Sequence, residues 1–277
     1  MKLIDGKAVA ANLRAQLKEK IQAEQQEIGL AVVIVGEDPA SKIYVRNKIK
    51  ACAEVGIVSY CHELNENCGQ TALEDLLDSL ARDEKVHGIL LQLPLPKGYD
   101  TESALSKIPT QKDVDGFSAE NLGRLAKKQP ASVACTPLGV MKLFESEGIS
   151  LAGKRAVVIG RSETVGKPMS MLLLNADATV TVCHSKTKDL EEITRQADVL
   201  VVAIGRAKFL TADMVKEGVV VIDVGMNRDE NGKLCGDVDF ENVKDKASYI
   251  TPVPGGVGPM TITMLLYNTY AAATAQK

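Results

Sequence analysis

Short, uninterrupted runs of β-branched residues alternate with amphipathic stretches along almost the whole chain. LAVVIVG (Leu30–Gly36) ends in glycine and precedes a helical pattern from about Pro39 to Val55. GIVSYCHEL is followed by TALEDLLDSLARD and then by VHGILLQLP. Continuous apolar strands separated by amphipathic helices predict βαβ units and a parallel sheet covered on both faces. After a less regular, turn-rich segment at 96–133, a second series begins. It runs RAVVIG, a helix from about Val165, ATVTVCHS, another helix, DVLVVAIG and GVVVIDVG, and closes on MTITMLLYNTYAAATA. The pattern predicts two α/β modules joined near residues 120–137.

Composition narrows the function classes. At 277 residues, 45% hydrophobic and 25% charged, the chain suits two domains with a sizeable core. A net charge of −3 leaves no basic footprint, so no nucleic-acid partner is expected. The start, MKLIDGKAVA, carries Asp5 and no long apolar region, which is unlike a signal peptide. No run is apolar for long enough to span a bilayer, so no membrane partner is expected and a cytoplasmic location is. The six cysteines (Cys52, Cys61, Cys68, Cys135, Cys183, Cys235) and three histidines (His62, His87, His184) show no metal-ligand spacing. Reduced thiols and no metal are the expectation.

One lysine stands out by its position on a helix. At about 100° per residue, Lys42, Arg46 and Lys50 form a solvated basic stripe. Lys48 instead shares the apolar stripe of Ser41, Tyr44, Val45, Cys52 and Val55. An ammonium kept poorly hydrated gives up its proton more readily, which suits proton transfer. Tyr44, one turn earlier, could stack on a flat ligand. The alternative is a lysine that snorkels to the surface beside a plain core tyrosine.

RAVVIG-RSETVG-KP sets Gly160 at a strand end and Gly166 at a helix start. This is the arrangement of a Rossmann first turn, where a pyrophosphate sits over the helix N-terminus. Ser162 stands where the usual fingerprint has its middle glycine, so an ordinary strand–helix turn stays open. The next strand ends in Cys183-His184-Ser185-Lys186 with no acid to bind a ribose 2′-hydroxyl, and Arg161 offers a guanidinium to a phosphate. Together these favour NADP over NAD. His184 as a loop residue and Ser185 as a helix cap are alternatives.

Gln92 follows an apolar run at the carboxyl end of a parallel strand, where ligands of open α/β sheets bind; loop capping is its other reading. Asp113 and Asp115 precede a glycine, which turn chemistry also explains. TPVPGGVGPMT crowds prolines and glycines before a helix, leaving backbone open to a flat ligand.

SKIYVRNKIKACAEVGI, GILLQLPLP, KDVDGF, CTPLG, GRSETVGKP, ATVTVCHSKT, VIDVGMN and YITPVPGGVGPMT occur in this order. In that set the chain resembles the bifunctional methylenetetrahydrofolate dehydrogenase/cyclohydrolases nearly end to end. The resemblance implies oxidation of 5,10-methylenetetrahydrofolate by NADP to the methenyl cation, then hydrolysis to 10-formyltetrahydrofolate. It implies a catalytic, folate-binding domain at 1–121 plus 258–277 and a Rossmann-type NADP-binding domain at 122–257, with a cleft between them, in a homodimer. It makes Lys48 the proton-carrying lysine, supported by Ser41 and tuned by Gln92. Tyr44 would pack on the folate and Asp115 would hydrogen-bond the pterin. Gly160, Arg161, Ser162, Ser185 and Met226 would contact NADP, and Pro254, Gly255, Gly256 and Val257 would close over the flat rings. Ser132, Val133 and Ala134 depart from the family, which commonly has an aromatic residue and a proline before Cys135. The competing classes are another two-domain NADP-dependent dehydrogenase, without folate turnover, and a non-catalytic folate- or nucleotide-binding protein.

Overall fold

The computed structural model describes residues 1–276. In chain order the first elements are β1 (Lys2–Leu3), α1 (Gly6–Glu24), β2 (Gly29–Val35), α2 (Pro39–Val55), β3 (Val58–Leu64) and α3 (Gln70–Arg82). Then come β4 (Gly88–Leu91), α4 (Thr101–Ser106), α5 (Ala119–Ala126), α6 (Cys135–Ser146), β5 (Arg155–Ile159), α7 (Gly166–Asn175) and β6 (Thr179–Cys183). The remainder are α8 (Leu190–Thr194), β7 (Val199–Val202), β8 (Val219–Asp223), β9 (Asn227–Arg228), β10 (Leu234–Cys235), α9 (Phe240–Val243), β11 (Ala247–Ile250) and α10 (Val257–Ala275). No helix among the described residues is long and apolar enough to cross a membrane.

The chain forms two compact units. Unit one comprises Met1–Ala11 and Thr136–Thr261, and unit two comprises Asn12–Cys135 and Ile262–Lys277. The N-terminus therefore groups differently from the sequence-based bounds. Lys2 and Leu3 pair in parallel with Tyr249 and Ile250, so backbone hydrogen bonding ties the first residues to unit one. Neither β1 nor the short β9–β10 hairpin has an apolar run, and neither is anticipated by the sequence pattern.

Unit one holds a six-stranded sheet in the order β1-β11-β8-β7-β5-β6, parallel throughout. Strand β8 has every residue buried, as a sheet covered on both faces requires. Strand order reverses beside β5, which is flanked by the later strands β6 and β7, and this marks a topological switch point. Unit two repeats the device on a smaller scale, with a parallel sheet in the order β3-β2-β4. Strand β2 is buried along its whole length. Leu73, Leu77 and Leu80 of α3 pack with Val33, Val35, Ile89 and Leu91 in its core. The switch point here lies between β2 and β4, at the ends from which α2 and Gln92 emerge.

Candidate active site

Helix α2 starts where its local chemistry dictates. The Asp38 carboxylate accepts from the Ser41 backbone N–H at 2.8 Å and Pro39 occupies the first turn, satisfying one orphan donor and needing none at the proline. Ser41, Val45, Cys52 and Val55 are all buried, as the wheel predicts. Tyr44 is not part of that buried face: it is 40% exposed. It lies about 60° from Ser41 on the wheel, at the edge of the stripe, where a tyrosine can keep its ring accessible. Lys48 is half-buried.

The backbone of Gln92 extends the β2–β4 ladder by donating to the Val33 carbonyl at 2.8 Å. Its side-chain Nε2 donates to the Leu93 carbonyl at 2.7 Å, which leaves Oε1 to accept from Lys48 Nζ at 3.0 Å. One end of the amide is tied to the chain, so the other presents a fixed acceptor to the ammonium. The amide thus caps a loop carbonyl with one end and meets Lys48 with the other.

The two aspartates of KDVDGF separate cleanly. Asp113 is buried; its Oδ1 accepts from the Gly116 and Phe117 N–H groups, and its Oδ2 from Ser118 N and Asn121 Nδ2. Four donors make it the organiser of the turn. Asp115 has a different environment. Burial pushes its carboxyl up to about 6, the nearby Lys48 ammonium pulls it back, and Asp113 adds a further upward push. The Cys135 thiol lies 3.9 Å from its Oδ1. Lys48, Gln92 and Asp115 thus form one cluster: an amine held by a neutral amide, with a buried carboxyl near enough to feel its charge.

In unit one the first turn leaves β5 at Gly160. The Gly160 N–H donates to the Cys183 carbonyl at 2.9 Å, so the ends of β5 and β6 are side by side. A Cβ at Gly160 would meet the Ala203 carbonyl oxygen at 2.3 Å, and one at Gly166 would meet the Gly160 oxygen at 2.3 Å. This is a cradle with space for backbone only, as close approach to a pyrophosphate requires. Ser162 Oγ accepts from the Val165 and Gly166 N–H groups at 3.2 and 3.3 Å, and so ties down the turn that leads into α7. Its hydroxyl hydrogen remains available to donate. Arg161 and Ser185 are exposed at the ends of β5 and β6, a donor set suited to a phosphate on the ribose. Ser185 does not cap α8, whose N-cap is Asp189. His184 builds the turn, its backbone N–H donating to Thr187 Oγ1 and its Nδ1 accepting from Lys186 N. Met226 is 49% exposed just beyond β8. These residues fit NADP.

The loop before α10 presents Pro254 to solvent and half-exposes Gly255, whose carbonyl accepts from the Lys7 N–H at 2.9 Å; Gly256 and Val257 are buried. Among the described residues, no group of three or more His, Cys, Asp or Glu side chains is placed to hold a metal ion.

Two further acids shape the carboxyl edge of the larger sheet, and neither is singled out by the sequence pattern. Asp237 accepts from the Ile204, Gly205 and Arg206 N–H groups and from Asn227 Nδ2. Asp223 accepts from the Gly225, Asp237 and Val238 N–H groups, and burial raises its carboxyl to about 7. Together they pin the loops that follow β7 and β8. The trace in the sequence is slight: Asp223 closes the VVVID run and Asp237 directly follows Gly236 in GDVD.

A switch-point cradle for a dinucleotide in one unit, and a lysine–glutamine–aspartate cluster in the other, define a two-unit NADP-dependent enzyme of the α/β class. The family description "Tetrahydrofolate dehydrogenase/cyclohydrolase, catalytic domain" matches residues 4–115, and "Tetrahydrofolate dehydrogenase/cyclohydrolase, NAD(P)-binding domain" matches residues 134–277. The chain belongs to the tetrahydrofolate dehydrogenase/cyclohydrolase family. A protein of Burkholderia lata called bifunctional protein FolD is 57% identical over 274 residues, covering 98% of this chain and 96% of the relative. The crystal structure of the bifunctional FolD methylenetetrahydrofolate dehydrogenase/cyclohydrolase from Campylobacter jejuni superposes with a TM-score of 0.98 at 54% identity, over 100% of both chains. The Trypanosoma brucei dehydrogenase-cyclohydrolase, solved with NADP cofactor and inhibitor, gives a TM-score of 0.94 at 40% identity, over 99% of this chain and 97% of that one.

Proposed function

We propose that this chain oxidises 5,10-methylenetetrahydrofolate to the 5,10-methenyl form with NADP and hydrolyses that product to 10-formyltetrahydrofolate. The observation that carries the reading is the Lys48 Nζ to Gln92 Oε1 hydrogen bond beside the raised carboxyl of Asp115. NADP, when bound, supplies the acceptor for the hydride. The protein's part in oxidation is to hold the two flat ring systems in register, since a carbon flanked by two nitrogens is already activated. Tyr44, exposed at the edge of α2, offers a face for the pterin or its aryl group, and Asp115 accepts from pterin N–H groups. Pro254 and Gly255 are the accessible part of the loop assigned to the flat rings.

In hydrolysis, water oxygen bonds to the electrophilic methenyl carbon and loses a proton. The carbon–nitrogen bond to one ring nitrogen then breaks as that nitrogen takes up a proton, while the hydroxyl left on the carbon gives its remaining proton to solvent and becomes the formyl oxygen. Lys48 carries the proton between these two points, and Gln92 keeps its amine aimed at them.

The cofactor assignment rests on Arg161 and Ser185 at neighbouring strand ends. Arg161→Ala is expected to weaken NADP binding roughly ten- to hundred-fold, the range of a lost charge-assisted contact, and to leave NAD binding nearly unchanged. Equal losses for both nucleotides would count against a phosphate contact.

We assign the protein to the cytoplasm, in keeping with six unpaired thiols, and to a homodimer. Support for the dimer comes from the terminal strand β6 and the adjoining α7, which leave Val182 37% and Leu174 61% exposed. Light scattering at micromolar concentration should give twice the chain mass, and a monomer mass would remove the dimer.

A further inference from the structure

Helix α10 is mostly apolar on its buried side, where Met264, Leu265 and Leu266 are almost completely enclosed. Asn268 interrupts that side and is itself only 7% exposed. A buried amide costs free energy unless bonded, and a leucine would fill the same space. Its two amide hydrogens are fully used. Nδ2 donates to the Val114 carbonyl at 2.8 Å and to the Val133 carbonyl at 2.9 Å, and lies 3.7 Å from the Cys135 Sγ.

Both acceptors flank the reacting cluster. Val114 is the residue before Asp115, and its carbonyl belongs to the peptide from which Asp115 extends. Val133 leads into Cys135, whose thiol faces the Val114 carbonyl at 3.5 Å and Asp115 Oδ1 at 3.9 Å. Burial and the neighbouring Asp115 push that thiol far up, so it stays protonated and can donate. One planar amide therefore fixes the separation of two chain segments that enclose the Asp115 carboxyl on the backbone and thiol sides.

We propose that Asn268 is a positioning residue for Asp115, acting through the Val114 carbonyl and the Cys135 segment rather than by touching substrate. This rests on the reading of Asp115 as a folate contact. Asn268→Leu keeps the volume and removes both donors. It is expected to lower kcat/KM for methylenetetrahydrofolate about ten- to hundred-fold, mostly through KM, with NADP affinity unchanged.

The deciding measurement is a double-mutant cycle with Asp115→Asn. If Asn268 acts through Asp115, adding Asn268→Leu to Asp115→Asn should cost less than about two-fold more. Multiplicative losses, or full activity of Asn268→Leu, would overturn the proposal. Full activity of Asp115→Asn alone would instead overturn the reading of Asp115, which keeps the two failures apart. Should the leucine variant not fold, Asn268→Ser retains one donor and enters the same cycle, with intermediate losses that again vanish in the Asp115→Asn background.

Discussion

Lys48→Met should abolish most hydrolysis of supplied methenyltetrahydrofolate, by about a hundred- to ten-thousand-fold, the usual worth of a positioned proton carrier. Methionine keeps the length and apolar stem of the side chain, so the half-buried position stays filled. What is lost is the charged donor to Gln92 Oε1 and the only amine within the cluster of Gln92 and Asp115. NADP affinity should be unchanged, because the Gly160 cradle is built from unit one alone. Stopped-flow decay of methenyl absorbance, read beside NADP titration, separates the two. Hydrolysis at the wild-type rate would refute the role of the amine, whereas joint loss of hydrolysis and NADP binding would point to a folding defect.

Asp115→Asn should show opposite effects on turnover and on stability. The variant cannot act as a carboxyl, so folate turnover falls. Stability moves the other way, and the sign follows from proton counting. The folded carboxyl titrates at about 6 and the unfolded one near 3.8. Between those values the folded chain holds a proton that the unfolded chain has released, so this group's contribution to stability declines as pH rises through that window. Above it, the wild-type chain carries a penalty of about 3 kcal/mol, the order of magnitude that separates a carboxyl at about 6 from one at 3.8. Replacing the acid by its neutral isostere should therefore stabilise the protein at pH 8 by up to about 3 kcal/mol and hardly at all below pH 4. Denaturant unfolding of both proteins at the two pH values tests this. A variant less stable than wild type at pH 8 would mean that the Lys48 attraction outweighs desolvation.

Much of this was legible in the residues because it depends on local chemistry. Parallel strands buried on both faces must be continuously apolar, so β2, β5, β7 and β8 announce themselves. The wheel isolates Lys48 because a cation on an apolar stripe is unusual, and the end of β4 marks Gln92 because strand ends at a switch point face ligands. The rest needed tertiary structure. Strand β1 is two residues long and exists only through its pairing with β11. Periodicity put Tyr44 on the inward face, but the angular edge of a stripe is where neighbouring elements decide exposure. Asp113 and Asp115 look alike in KDVDGF, and only the donors that converge on each one tell the turn-former from the site acid. Asp223, Asp237 and Asn268 bond to backbone groups distant in sequence, and no spacing rule anticipates such partners.

The pairing of oxidation and hydrolysis on one chain is open to a direct test. It is tested by mixing the purified wild-type protein with 5,10-methylenetetrahydrofolate and NADP and following methenyl absorbance together with NADPH. NADPH should rise while the methenyl signal appears and then decays faster than methenyltetrahydrofolate does in buffer alone. NADPH formation with a methenyl signal that persists at the buffer rate would leave an oxidising enzyme without hydrolysis and contradict the account.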